Sequence, residues 1–199
     1  TREWIPWYGL ITQLKVPSLL SDAGVLKREE LGNDIERMRE VYLNKGYLNV
    51  QISQPTLELS EDKKWFEINY SIVEGEPFIV QEVGFRGNTV FEDHELREGL
   101  NIRPGEIFQR AKIRGEITRI TDLYGAKGYV FAGVVPNVTP DNKSRTATIL
   151  LNVKEGEMMR IREIHVNGND KTRDNVVRRE LRLDEQDVVD TLALKRSFQ

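Results

Sequence analysis

The chain contains no cysteine among its 199 residues. Disulfides, thiolate metal sites and cysteine nucleophiles are excluded together, and the absence fits a reducing or an oxidising compartment equally well. Nor does any apolar run approach the roughly 20 residues that carry a helix across a bilayer. Basic charge is not in excess: 29 Lys and Arg against 32 Asp and Glu leave a formal net charge of −3. Without a global positive field, nucleic-acid binding has no electrostatic support. Histidine is scarce too. His94 and His165 read as solvated turn or strand residues rather than bases or ligands. No P-loop or dinucleotide fingerprint is present, so neither an enzyme nor a cofactor or metal site is expected. The opening Thr1-Arg2-Glu3-Trp4 has neither a signal peptide nor an initiator Met, which reads as an excised fragment.

What the chain does have is repetition. Gly46-Tyr47 returns 82 positions on as Gly128-Tyr129, and Glu74-Gly75 returns 81 positions on as Glu155-Gly156. Phe85-Arg86-Gly87-Asn88 returns, again 81 on, as Val166-Asn167-Gly168-Asn169. Such a period suits a row of small domains better than a solenoid of single supersecondary units.

One complete unit runs from about Phe78 to Gly156. Its first segment, ending at Phe85, alternates as a strand; Val90, Phe91, Leu96 and Leu100 predict a short helix ending near Asn101. Ile113, Ile117, Ile120 and Tyr124 then fall on one helical stripe, matched 82 positions earlier by Leu31, Ile35, Met38 and Tyr42. Gly128 ends that helix, Ala132 and Val134 open a strand, and Ala147, Ile149, Leu151 and Val153 alternate along another. The order β-α-α-β-β predicts an α+β fold, a small mixed sheet with two helices on one face. Three divisions follow: residues 1–76 without an opening strand, a complete unit at 77–156, and the beginning of a third at 157–199. Almost no spacer separates them, so Gly75, Pro77 and Gly156 are predicted hinges of restricted angle.

Phe85-x-Gly87-Asn88, Tyr124-x-x-x-Gly128-Tyr129 and Val153-x-Glu155-Gly156 together resemble the POTRA domain, the polypeptide-transport-associated repeat found before outer-membrane β-barrels. The run Gly168-Asn169-Asp170-Lys171-Thr172-Arg173-Asp174 is similar to the barrel-proximal repeat of the outer-membrane assembly branch, which would make these units the third to fifth of their array. The resemblance implies the periplasmic face of the outer membrane, with unfolded outer-membrane proteins and accessory assembly lipoproteins as partners and a C-terminal barrel outside this sequence. A two-partner-secretion or autotransporter-assembly homologue is the alternative within the superfamily. A KH-like RNA-binding module is the alternative outside it, although neither a Gly-x-x-Gly loop between its two helices nor a basic face is evident.

An open sheet edge offers backbone N–H and C=O groups that accept an incoming strand with little regard for its sequence. The resemblance places that edge after Gly-Tyr, hence at Leu48, Asn49, Val50, Gln51, Ile52 and Ser53. Between Tyr47 and Pro55 there is one residue more than between Tyr129 and Pro136, which implies either a β-bulge or a longer turn near Gln54-Pro55. A second candidate surface is Arg178, Arg179, Glu180 and Arg182. Residues 178 and 182 would share a helix face, and the resemblance implies lipoproteins as the partner.

Overall fold

The computed structural model describes residues 28–61, 66–181 and 184–191. The expectation at Arg182 lies outside them. In chain order the elements are α1 (Arg28–Asn44), β1 (Gln51–Ile52), β2 (Thr56–Leu59), β3 (Phe66–Asn69), β4 (Ile72–Val73), β5 (Ile79–Arg86), α2 (Asp93–Arg97), α3 (Arg110–Ala126), β6 (Gly133–Asp141), β7 (Thr146–Lys154) and α4 (Asp174–Glu180). Strands β1 and β4 form one antiparallel ladder, β2 and β3 another, and the third sheet has the order β5-β7-β6. The chain clusters into two compact units. One holds the described residues of Thr1–Ile79 with Ile107–Arg110 and Pro140–Thr146; the other holds those of Val80–Glu106, Ala111–Thr139 and Ala147–Gln199.

Periodicity accounts for the core. Along α3, Ile113, Ile120 and Tyr124 are buried, and along β7 Ala147, Ile149, Leu151 and Val153 are buried at every second position. Each large apolar side chain fully withdrawn from water contributes about 1.5–3 kcal/mol. The expected short helix before α3 is only the five residues of α2, because Glu98 is already extended at φ −63°, ψ 121°.

Charge also enters this core. Glu116 is 1% exposed, accepting the Asn101 N–H at 2.9 Å and pairing with Arg119 Nε at 2.7 Å. Arg119 in turn donates to the Leu96 and Glu98 carbonyls, at 2.6 and 3.2 Å. The pair therefore ties the carbonyl end of α2 to α3, giving a buried carboxylate the partners it needs.

The recurring motifs prove to be partners of one another. Tyr124 donates its hydroxyl to Glu155 at 2.8 Å, and 82 and 81 positions earlier Tyr42 donates to Glu74, also at 2.8 Å. Glu155 additionally accepts the amides of Thr89 (2.5 Å) and Val90 (2.8 Å) and the Thr89 hydroxyl. One carboxylate thus pins the loop after Gly87-Asn88 to the end of β7. Burial by itself would raise the Glu155 carboxyl, but the bonds from Thr89, Val90 and Tyr124 outweigh it and hold the group below its ordinary range. Burial first, then the bond to Glu155, pushes the Tyr124 phenol well above its ordinary value.

A second repeated feature follows each long helix. Tyr47 N–H bonds the Tyr42 carbonyl and Tyr129 N–H the Tyr124 carbonyl, both at 3.0 Å, with Gly46 and Gly128 at φ +94° and +92°. These are Schellman ends, which require the left-handed conformation that glycine adopts freely. The Gly46 carbonyl then receives the Phe78 N–H, and the Gly128 carbonyl receives that of Met159, both at 2.9 Å. Beside them, Ile79 bridges Ile107 as Arg160 bridges Val188, again 81 positions on.

The opening strand expected after Gly156 is not formed among the described residues. That segment instead makes the single bridge at Arg160 and the bonds Ile161 N–H to Asp187 O (2.9 Å) and Gln186 N–H to Ile161 O (2.7 Å). Gln186 sits at φ +71°, where the preceding copy has Gly105 at +87°. A side chain there costs about 1–2 kcal/mol. Gln186→Gly is expected to slow amide exchange of Ile161 about fivefold, equivalent to about 1 kcal/mol.

Candidate functional site

The margin predicted to accept a strand is built outward from the end of α1. After Gly46 reverses the chain, Leu48 and Asn49 form a turn, and Val50, 8% exposed, inserts into the core with its N–H on the Tyr47 carbonyl at 3.4 Å. Asn49 is exposed, but its side-chain amide donates to Asn142 Oδ1 at 2.9 Å. Leu48, Asn49 and Val50 therefore precede the strand rather than forming it, because the Schellman end and the burial of Val50 fix their course. Gln51 and Ile52 are the strand, and Ser53 follows it.

The ladders show where the extra residue lies. Gln51 faces Val73 and Ile52 faces Ile72; then Thr56 faces Asn69 and Leu57 faces Ile68. Ser53, Gln54 and Pro55 thus stand against Tyr70 and Ser71, three residues opposite two. This two-ladder interruption is a bulge in the margin strand, not a lengthened turn at its end. The Ser53 N–H donates to the Ser71 carbonyl at 2.9 Å, and the Ser53 hydroxyl accepts the Ser71 N–H at 3.1 Å. Since main-chain groups alternate in direction along a strand, Gln51 also points at β4, while the N–H and C=O of Ile52 point away from it. Among the described residues β1 pairs with β4 alone. Nearby apolar side chains remain in water: Leu59, Phe66 and Val73 are 50, 52 and 61% exposed.

The second candidate surface is reduced by its own contacts. Arg178 donates to Asp174 Oδ2 at 2.6 Å, to Glu185 Oε1 at 3.0 Å and to the Ile164 carbonyl at 2.5 Å. Its guanidinium is a brace that holds the start of α4 and the 184–191 segment together. The helix ends at Glu180, with Leu181 extended at ψ 141°, so the shared face expected for residues 178 and 182 is not continued by helix. Arg179 and Glu180 remain exposed, 3.7 Å apart.

Of the predicted hinges, Gly75 and Gly156 have φ +75° and +70°, and Pro77 is exposed. His94 and His165 are surface side chains beside Glu92 and Glu163. No group of three His, Cys, Asp or Glu able to hold a metal ion occurs among the described residues, and no helix there is long and apolar enough to cross a membrane. Sequence reasoning missed the Tyr–Glu latch, the Arg178 brace and the Glu116–Arg119 pair. The first had a signal, since both members recur with the period; the Arg178 brace had none.

A three-stranded sheet with α2 and α3, together with helix ends and Tyr–Glu pairs that recur at 81 or 82 residues, define a tandem array of one domain type. The family model described as "POTRA: Surface antigen variable number repeat" matches residues 13–75, 78–156 and 159–199, and the chain belongs to the POTRA family. It is similar to "Outer membrane protein assembly factor BamA" of Neisseria meningitidis serogroup B, 29% identical over 188 residues covering 94% of this chain and 24% of that protein. The BamA of Buchnera aphidicola is 27% identical over 91% of this chain and 28% of its own length. The chain thus spans about a quarter of the length of these curated relatives. In fold it resembles the crystal structure of Haemophilus influenzae BamA POTRA3-5, with a TM-score of 0.71 at 23% identity over 88% of this chain and 69% of that one.

Proposed function

We propose that this chain is a periplasmic, non-enzymatic part of an outer-membrane assembly factor, and that it receives extended segments of unfolded outer-membrane proteins along the β1–β2 margin. The observation that carries the reading is the outward-facing backbone of Ile52 on a strand that, among the described residues, is paired on one side only, next to the exposed Leu59, Phe66 and Val73. A client strand would add to that margin through main-chain bonds, so its recognition depends on being extended rather than on a particular sequence. Membership in the POTRA family and similarity to proteins named as outer-membrane assembly factors support the setting. Accessory lipoproteins would meet the α4 region, where Arg179 and Glu180 are exposed. A C-terminal barrel would complete the whole protein.

The test is a proline at the outward position. Ile52→Pro removes a donor that β4 does not use, so the melting temperature should stay close to that of the parent. Photocrosslinking of clients along residues 51–59 in the full-length protein should fall about tenfold, as expected when one or two net bonds of about 1 kcal/mol are lost. Undiminished crosslinking would refute strand addition here. Val50 is a poor place for the same experiment, because its N–H and side chain serve the fold.

A further inference from the structure

The strand that follows Gly-Tyr lies at a sheet margin twice, as β1–β2 and as β6, yet the two margins differ in what their backbones can donate. Strand β6 runs for nine residues, Gly133–Asp141, with Pro136 and Pro140 inside it. Its sheet order places β7 on one side and, among the described residues, no strand on the other. A proline within a paired strand keeps the ladder only if its nitrogen faces the unpaired side. The direction is fixed independently: the Val135 carbonyl accepts Asn152 Nδ2 of β7 at 3.3 Å, so odd-numbered residues point at β7. Val134, Pro136, Val138 and Pro140 therefore point outward, and only Val134 and Val138 have an N–H to give.

On the other margin the counterparts, 81 positions earlier, are Pro55 and Leu59. Pro55 has been taken out of the ladder, since the extra residue places it in the bulge between β1 and β2. Leu59 retains its amide. We infer that Pro136 and Pro140 are specificity-determining residues that close the β6 margin to strand addition, so that of these two equivalent margins only β1–β2 takes an extended polypeptide. The inference rests on the reading of strand addition given above. Two missing donors at alternate outward positions, with pyrrolidine rings where a partner strand would lie, leave an incoming chain only two of the four outward N–H groups along β6. The edge is thereby also protected from pairing with a second copy of itself.

A synthetic ten-residue peptide of alternating Thr and Val, added to the 199-residue chain, tests this by residue-resolved amide exchange. In the parent, Val134 and Val138 should exchange at the same rate with and without peptide. In a Pro136→Thr, Pro140→Thr variant with the parent's melting temperature, the same amides should gain at least about tenfold protection. Peptide-dependent protection of Val134 and Val138 in the parent overturns the inference, and so does a folded variant that gains none. Should the double variant not fold, either single replacement restores one donor and carries the same test with a smaller gain. Protection across residues 51–59 is read in the same experiment: its absence counts against the proposed client margin, whereas the β6 amides decide the role of the prolines.

Discussion

Glu155→Ala is expected to lower stability by about 3 kcal/mol, read as a shift in the denaturant midpoint without loss of secondary structure under native conditions. Four donors converge on that carboxylate: the Thr89 and Val90 amides and the Thr89 and Tyr124 hydroxyls. Alanine removes their acceptor: the exposed Thr89 donors turn to water, while the part-buried Val90 and Tyr124 donors left unmet cost about 1–3 kcal/mol each. Tyr124→Phe should cost less, because it removes one of the four. The pH dependence carries the same information. The folded-state pKa of Glu155 lies below its ordinary 4.5, so its stabilisation is complete above that value and disappears as the pH falls through the depressed folded pKa. Acid unfolding of the parent should therefore steepen below about pH 4.5, and the alanine variant should lack that component. Equal acid sensitivity in both would show that the latch does not contribute.

Gly128→Ala should cost about 3 kcal/mol for two separable reasons. The φ of +92° is strained for any residue with a Cβ, and that Cβ would lie 2.3 Å from Val188 Cγ1 and 3.1 Å from Met158 Cγ. Left-handed strain contributes about 1–2 kcal/mol and overpacking about 1–3. Adding Val188→Ala to Gly128→Ala should recover the packing part alone, and a double-mutant cycle measures it. The local readout is exchange of the Met159 amide, which bonds the Gly128 carbonyl. If the double variant is as destabilised as the sum of its parts, the clash is not what the glycine avoids.

Those residues also show what could be read in advance. The stripe at Ile113, Ile120 and Tyr124 and the alternation along β7 were legible because a buried face imposes its own period on the sequence. The one-residue surplus before Pro55 was legible by comparing copies, although only the two ladder registers place it inside the strand. What escaped depends on contacts made across long stretches of chain. Asn49 precedes the strand that the resemblance places it in, and nothing local reveals its partner Asn142, 93 residues on. Arg178 was read as a docking charge because its partners, the Ile164 carbonyl and Glu185, belong to no helix pattern. Glu116 is charged and yet 1% exposed, since Arg119 and the Asn101 amide compensate its charge, and neither partner is marked by the helix period.

The bonds from Phe78 to Gly46 and from Met159 to Gly128 give the two described couplings the same donor and the same acceptor. A helix end in one copy presents the same carbonyl, and the next copy answers with the same amide, whichever two copies meet. Whole periods could then be gained or lost by recombination with both junctions still matched. The span from glycine carbonyl to answering amide is one residue longer in the first copy than in the second, and the bulge before Pro55 holds that surplus without moving the pairing. Array length in such a protein is free to evolve wherever an odd residue is taken up inside a strand.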